Sequence, residues 1–188
     1  MNILRNRIIM AAVEEINLRG FKFTMSDLTK RLSISKSSLY ENFSSKEELI
    51  GTILDMVLND LRAQEEKIYN SSLPIIEKLK AILLITPEVF EPFHNRVYDD
   101  LRLTYPEEWK KIIKFRKERM DRLADLLHQG METGTIRRVN RSVVQQIIVS
   151  TMNDLMNYRF LAENNMTYSD AVAAMLDIVI HGLLDKNK

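Results

Sequence analysis

Residues Thr24 to Leu49, TMSDLTKRLSISKSSLYENFSSKEEL, hold several helix starts in one turn-rich window, which few folds can accommodate. Thr24 followed by Asp27 has the S/T-x-x-D/E spacing of a capped helix start, and Leu28 and Leu32 then share one helical face. A short helix over about Met25 to Leu32 is predicted. Ser33-Ile34-Ser35 forms a tight corner, with Ile34 the residue available to plug the space between two helices. Ser35 is the expected N-cap of a second short helix, about Lys36 to Asn42, because its hydroxyl can accept an orphaned backbone N-H of the first turn. Lys36, Ser37 and Ser38 then project from the helix start, while Leu39 and Phe43, four apart, face inward. Small polar and cationic groups placed so suit phosphate oxygens and base edges in a major groove. They suit equally an ordinary helical hairpin with a solvated polar edge, and spacing alone does not separate the two.

The flanks brace this stretch. Ile8, Ile9, Ala12, Val13 and Ile16 recur at helical spacing before Gly20, which stands where a left-handed stop is wanted, so a first helix over about Asn2 to Arg19 is predicted. Arg5 and Arg7 at its start could reach phosphate. On the far side, Ser45 with Glu48 has the spacing of a capping box. An apolar stripe from Leu49 through Ile53, Val57 and Leu61 then continues toward Tyr69 as one long helix, with Lys46 in its first turn.

Charge adds a constraint. The 188-residue chain carries a net charge of +1, so any nucleic-acid contact must come from a local patch rather than the whole surface. The first 48 residues supply eight basic groups (Arg5, Arg7, Arg19, Lys22, Lys30, Arg31, Lys36, Lys46) against six acidic ones (Glu14, Glu15, Asp27, Glu41, Glu47, Glu48), so placement has to matter more than total charge.

The remainder also reads as helical. Asn70-Ser71-Ser72 breaks the chain before Pro74 opens a helix through Leu79, Ile82 and Leu83, ended by Thr86-Pro87. Glu88 to Tyr105 is the least regular part, an apolar-aromatic cluster bounded by Pro92 and Pro106. Pro106 opens a long helix to about Met131, stopped around Gly134. Ser142 to about Asn164 forms another, and Thr167 with Asp170 caps a last one. Both C-terminal helices are apolar over a wide arc. Pairing with a second copy into a four-helix bundle closes both, through Val144, Ile148, Thr151, Leu155, Ala171, Met175, Ile178, Val179 and Gly182. A monomer whose own core takes both faces is the alternative. No segment alternates with strand period.

Several chemistries are excluded. The chain has no cysteine, which removes disulfides, thiol chemistry and cysteine-held metals. His94, His128 and His181 are scattered, Asp99 and Asp100 diverge on a helix, and no glycine-rich phosphate loop or nucleophile elbow is present. No enzyme, metal or cofactor is expected. The apolar runs fall short of a membrane span and the N-terminus lacks signal-peptide form, so a cytoplasmic location without membrane contact is expected.

Arg5 to Ile50 resembles the DNA-binding domain of the tetracycline-repressor (TetR) family over essentially that whole module. The matching residues are RNRIIMAA, Gly20-Phe21, Thr24, and SKSSLYENFSSKEEL from Ser35 to Leu49. The resemblance implies an all-α fold of about nine helices: a three-helix helix-turn-helix head over residues 1–47, and a helical effector-binding and dimerisation body over 48–188. It implies that Thr24, Tyr40 and Lys46 hold the DNA backbone and that Lys36, Ser37 and Ser38 sit nearest the bases. It also implies a homodimer on a palindromic operator in double-stranded DNA. An effector site is implied in the body, for which Phe90, Phe93, His94, Tyr98, Trp109, Phe115, Met120, Met152, Met156 and Phe160 supply aromatic and flexible walls, although each alone reads as core. A hydrophobic or amphipathic small molecule is the expected ligand, and repression the expected mode. The alternative is an all-helical small-molecule-binding or adaptor protein that no longer binds DNA. Two residues depart from the family pattern: Ser33 where glycine is usual, and Thr29 where alanine is.

Overall fold

The structure is a computed structural model that describes residues 3–90, 95–155 and 158–183, and every secondary-structure element among them is helical. In chain order these are α1 (Ile3–Arg19), a 3-10 turn (Gly20–Lys22), α2 (Met25–Leu32), α3 (Lys36–Tyr40), α4 (Lys46–Tyr69) and α5 (Ile75–Leu84). Then come α6 (Asn95–Thr104), α7 (Pro106–Glu132), α8 (Arg141–Leu155), α9 (Tyr158–Glu163) and α10 (Tyr168–Leu183). No helix among the described residues is long and apolar enough to cross a membrane.

Two compact units make up the chain: Met1–Leu61 with Pro87–Ile113, and Arg62–Thr86 with Lys114–Lys188. The expected boundary after residue 47 falls inside α4, within the first unit.

In the first unit the core consists of the buried face of α1 (Ile8, Ile9, Ala12, Val13, Ile16), which packs on α2, together with Leu28 of α2, Leu39 of α3, Phe43, and Leu49, Ile50 and Ile53 of α4. Arg31 of α2 reaches back to α1, bonding Glu15 at 2.8 Å and also Glu14. Glu15 takes Arg19 as well, at 2.5 Å. Its carboxyl is therefore held below the usual range, first by the Arg19 hydrogen bond and then by Arg31, against the opposing effect of burial.

The sequence reads as irregular from Glu88 to Tyr105, but the second half of that stretch is α6. Val97, Leu101 and Tyr105 stand four apart and are buried, a helical stripe between Pro92 and Pro106 that the prolines masked. Helix α6 packs on the Gly20–Lys22 turn, where Phe21 meets Tyr105 edge-to-face at 5.2 Å. Gly20 is required by its backbone conformation. Its φ is +63°, and a Cβ there would lie 2.7 Å from Asp100 Oδ2.

The second unit has its own core, in which Leu79, Ile82 and Leu83 of α5 pack with Leu123, Leu126 and Leu127 of α7, Val144 and Ile148 of α8, and Val172, Leu176 and Ile180 of α10. Ile136, only 1% exposed, folds back onto Gly130 of α7, with its N-H donating to the Gly130 carbonyl at 2.9 Å. Arg137 next to it donates through its backbone N-H to Leu183 O at 3.0 Å and through Nε to Gly182 O at 2.7 Å, capping α10. Of the single helix expected from Ser142 to Asn164, the described residues form α8 and α9, on either side of Met156 and Asn157, which lie outside the described residues.

Candidate nucleic-acid interface

Each short helix of the first unit starts on a hydroxyl. At α2 the Thr24 Oγ1 accepts the Asp27 N-H at 3.2 Å, while Asp27 Oδ2 accepts from the Thr24 N-H and hydroxyl, both at 2.8 Å. This reciprocal box fixes where α2 begins and lowers the Asp27 pKa, chiefly through the backbone hydrogen bond from Thr24. At α3 the Ser35 Oγ accepts the Ser38 N-H at 3.0 Å and lies 2.9 Å from both the Ser37 and Ser38 hydroxyls.

The corner between them turns on Ser33, whose φ of +53° and ψ of +46° are left-handed. Ile34 N-H closes back on Thr29 O at 3.1 Å, the long bond of a Schellman stop. The other family departure, Thr29, is buried, and its hydroxyl is satisfied by Ser26 O at 2.8 Å.

These caps determine which way α3 faces. Leu39 and Phe43 are fully buried, whereas Lys36 and Ser37 are exposed, Ser38 is half-buried and Tyr40 is 50% exposed. Thr24, Ser35, Lys36, Ser37 and Tyr40 thus present polar groups to solvent from one helix-corner-helix segment, over a core that fixes the backbone beneath them. The predicted Ser45–Glu48 capping box forms with a shift of one residue. Glu48 N-H donates to Ser45 Oγ at 3.1 Å, but its carboxylate accepts from the Ser44 N-H and hydroxyl, both at 2.7 Å.

Two cations are also engaged within the fold. Lys46, expected to hold the DNA backbone, is half-buried and donates from Nζ to Phe21 O and Phe23 O, each at 2.5 Å. The ammonium lies 4.2 Å from the centroid of the Phe23 ring, and its pKa is lowered by burial. Arg5 donates to Asn42 O, lies 3.9 Å over the Phe43 ring and is 3.7 Å from Glu48.

The residues expected to wall an effector pocket are distributed over both units. Phe90 and Trp109 belong to the first, and Phe115, Met120, Met152 and Phe160 to the second. Phe93, His94 and Met156 lie outside the described residues, as does the Tyr98 side chain. Phe115 lines a cleft of about 340 Å³ in the second unit together with five charged side chains, Arg62, Glu65, Glu118, Asp121 and Arg122. Met120 and Met152 are partly buried against the second core, and Phe160 is 43% exposed.

Of the residues expected at a dimer face, Val144, Ile148, Ala171 and Met175 are buried in the second unit itself, while Thr151, Leu155 and Val179 are half-buried. Ile178 is 74% exposed, Gly182 is exposed, and Val143 and Ile147, which the expectation left out, are about half exposed. The two faces of α8 differ by one position in sequence, 143/147 against 144/148, and both are aliphatic, so periodicity could not choose between them. Among the described residues no group of three or more His, Cys, Asp or Glu could hold a metal ion.

Residues 8–53 match the family model for bacterial regulatory proteins, tetR family. Over 143 residues the chain is 31% identical to the uncharacterized HTH-type transcriptional regulator YhgD of Bacillus subtilis (strain 168), spanning 73% of this chain and 74% of that one. It is 29% identical over 142 residues to the HTH-type transcriptional repressor KstR2 of Mycobacterium tuberculosis (strain ATCC 25618 / H37Rv), spanning 73% and 71%. Among solved structures it is similar to the TetR family transcriptional regulator PfmR from Thermus thermophilus, with a TM-score of 0.72, 26% identity, and coverage of 95% of this chain and 100% of that one.

Proposed function

The chain belongs to the TetR family of transcriptional regulators, and from that premise we propose that it is a homodimeric repressor that reads a palindromic operator and is released by a hydrophobic or amphipathic small molecule. The family assigns it to DNA-binding, ligand-responsive regulation rather than catalysis. The observation that carries the rest is the orientation of α3: Leu39 and Phe43 anchor it, and Lys36, Ser37 and Tyr40 are left facing solvent.

In this reading α3 enters the major groove of a half-site. Lys36, Ser37 and Ser38 sit nearest the base edges, while Thr24, Ser35 and Tyr40 meet the flanking phosphates. Repression is favoured by the likeness to KstR2, whose name is that of a repressor. Dimerisation is supported by the aliphatic residues that α8 and α10 leave exposed. The effector reading draws on the methionine and aromatic side chains of the second unit, Phe115, Met120 and Met152, which can repack around an apolar guest. A ligand that prefers one dimer geometry shifts the population away from the one that fits two half-sites about a helical turn apart, and affinity for DNA falls.

The test is a titration of the full-length protein with the DNA upstream of its own gene against a mixed-sequence duplex. Preference for the upstream fragment is expected. Lys36→Ala and Ser37→Ala should reduce that preference by about tenfold, the equivalent of one weakened base contact. Wild-type protein that binds neither duplex overturns the proposal. A gene that falls in expression when the regulator is deleted overturns the repressor part alone.

A further inference from the structure

Glu41 puts a negative charge on the same edge of α3 as the polar groups that face solvent. It closes α3 at its C-terminal end, where its backbone N-H donates to Ser37 O at 2.8 Å, so it stands one helical turn beyond Ser37 on the same side. Ser37, Tyr40 and Glu41 are all exposed. Other carboxylates of the head have a use within the fold: Glu14 and Glu15 take Arg31, Asp27 takes Thr24, and Glu48 takes Ser44. Glu47 lies in the first turn of α4, an end of a helix that favours an anion. Glu41 has neither advantage. Among the described residues its carboxylate makes no hydrogen bond or ion pair, and the carbonyl end of a helix favours a cation over an anion. Nothing in the folded chain calls for a negative charge here, and beside a polyanion that charge is a cost.

We propose that Glu41 is a specificity-determining residue that makes binding conditional on a cytosine opposite it in the major groove. Brought to the duplex on the side of Ser37, a carboxylate meets phosphate oxygens, which repel it, and base edges whose groove atoms are mostly acceptors. Guanine shows two acceptors there, thymine an acceptor and a methyl group, and adenine an amino group beside the N7 acceptor. Cytosine alone presents an amino donor with no acceptor on the same base, and a hydrogen bond from that donor to an ionised carboxylate is a strong one. The penalty of bringing Glu41 to DNA is thus offset at one base and left standing at the other three. Lys36 and Ser37 select by attraction, whereas Glu41 selects by excluding the wrong sequence.

This inference rests on the DNA-binding reading, and the experiment tells the two apart. Full-length wild type, Glu41→Gln and Glu41→Ala are titrated with the upstream duplex and with the mixed-sequence duplex, and each protein is used to select binding sites from a pool of random duplexes. Both variants should bind the mixed-sequence duplex severalfold more tightly than wild type does, and the upstream duplex no more tightly. The preference should therefore fall by about tenfold, the equivalent of one base contact. Wild type should select cytosine at one position in each half-site. Glu41→Ala should accept any base there and Glu41→Gln should turn to adenine, with the remaining positions unaltered. Melting temperatures should stay at or above that of wild type, since the side chain is exposed. Equal tightening on both duplexes with the same selected sequence would show plain repulsion without base discrimination, and overturns the proposal. So do unchanged affinities, or a lower melting temperature with weaker binding to both duplexes, which would make Glu41 part of the fold. If wild type binds neither duplex, the DNA reading fails and this inference with it. If wild type binds and the cytosine persists in the variants, this inference alone fails.

Discussion

A single torsion angle carries much of the head's geometry. Ser33 sits at φ +53° with a Cβ that resists that conformation, and its side chain is exposed, so replacement by glycine removes strain without removing a packed contact. Ser33→Gly is expected to stabilise the protein by about 1 kcal/mol, a rise of roughly 2–4 °C in melting temperature for a chain of this size. A thermal melt decides it, and a lower melting temperature would show that glycine's extra freedom in the unfolded chain outweighs the relieved strain. Thr29 sets a contrast. Its added volume is buried, but its hydroxyl is bonded to Ser26 O, so a threonine stands in the alanine's usual place without an unsatisfied group.

At the scale of elements, what holds α1 to α2 is in part ionic and therefore depends on pH. Glu15 is 4% exposed and takes Arg19 and Arg31 together, which depress its pKa. A depressed carboxylate pKa contributes stability that is complete above the unfolded value of about 4.5 and disappears as pH falls through the folded value. Glu15→Gln should therefore melt a few degrees lower than wild type near neutral pH, and the gap should close as the solution is acidified below the unfolded value. Parallel melting curves across that range would remove Glu15 as the acid-sensitive link. Packing gives a second case at Gly130. A Cβ there would lie 2.5 Å from Ile136 Cδ1 and 2.8 Å from its Cγ1, and Ile136 is too deeply buried to swing away. Gly130→Ala should cost about 1–3 kcal/mol, read as a lower denaturation midpoint. A neutral result would mean that the 133–137 turn moves as a body. Such details explain how far the sequence could be read. Caps announce themselves locally, so the starts of α2, α3 and α10 at Thr24, Ser35 and Thr167 were legible from hydroxyl spacing alone. Helix α6 was hidden between two prolines. The seating of Lys46 on carbonyls some twenty residues away depends on tertiary approach, which no local pattern encodes.

For the whole molecule the deciding matter is what covers the outer faces of α8 and α10. Val143, Ile147 and Ile178 are 53%, 48% and 74% exposed, and Gly182 on the same helix as Ile178 has nothing within 4 Å of a Cβ built on it. Scattered exposed aliphatics need no explanation in a monomer, but here they fall on two helices whose other sides are already committed to the core, and Gly182 adds no side chain to keep another helix away. An isologous contact about a twofold axis satisfies both copies at once and gives the paired reading heads that a palindrome requires. A single charge at its centre would be buried twice in the dimer and not at all in the monomer. Ile178→Glu is therefore expected to convert the protein from dimer to monomer in light scattering while leaving its helical circular dichroism unchanged. Affinity for the upstream DNA should then drop by about a hundredfold or more as the second head loses its tether to the first. The same substitution at a position on the core side, such as Met175→Glu, should instead unfold the unit, since that side chain is 8% exposed. If Ile178→Glu leaves the mass at that of a dimer, the contact between copies lies elsewhere on the chain, and α10 is free for another partner.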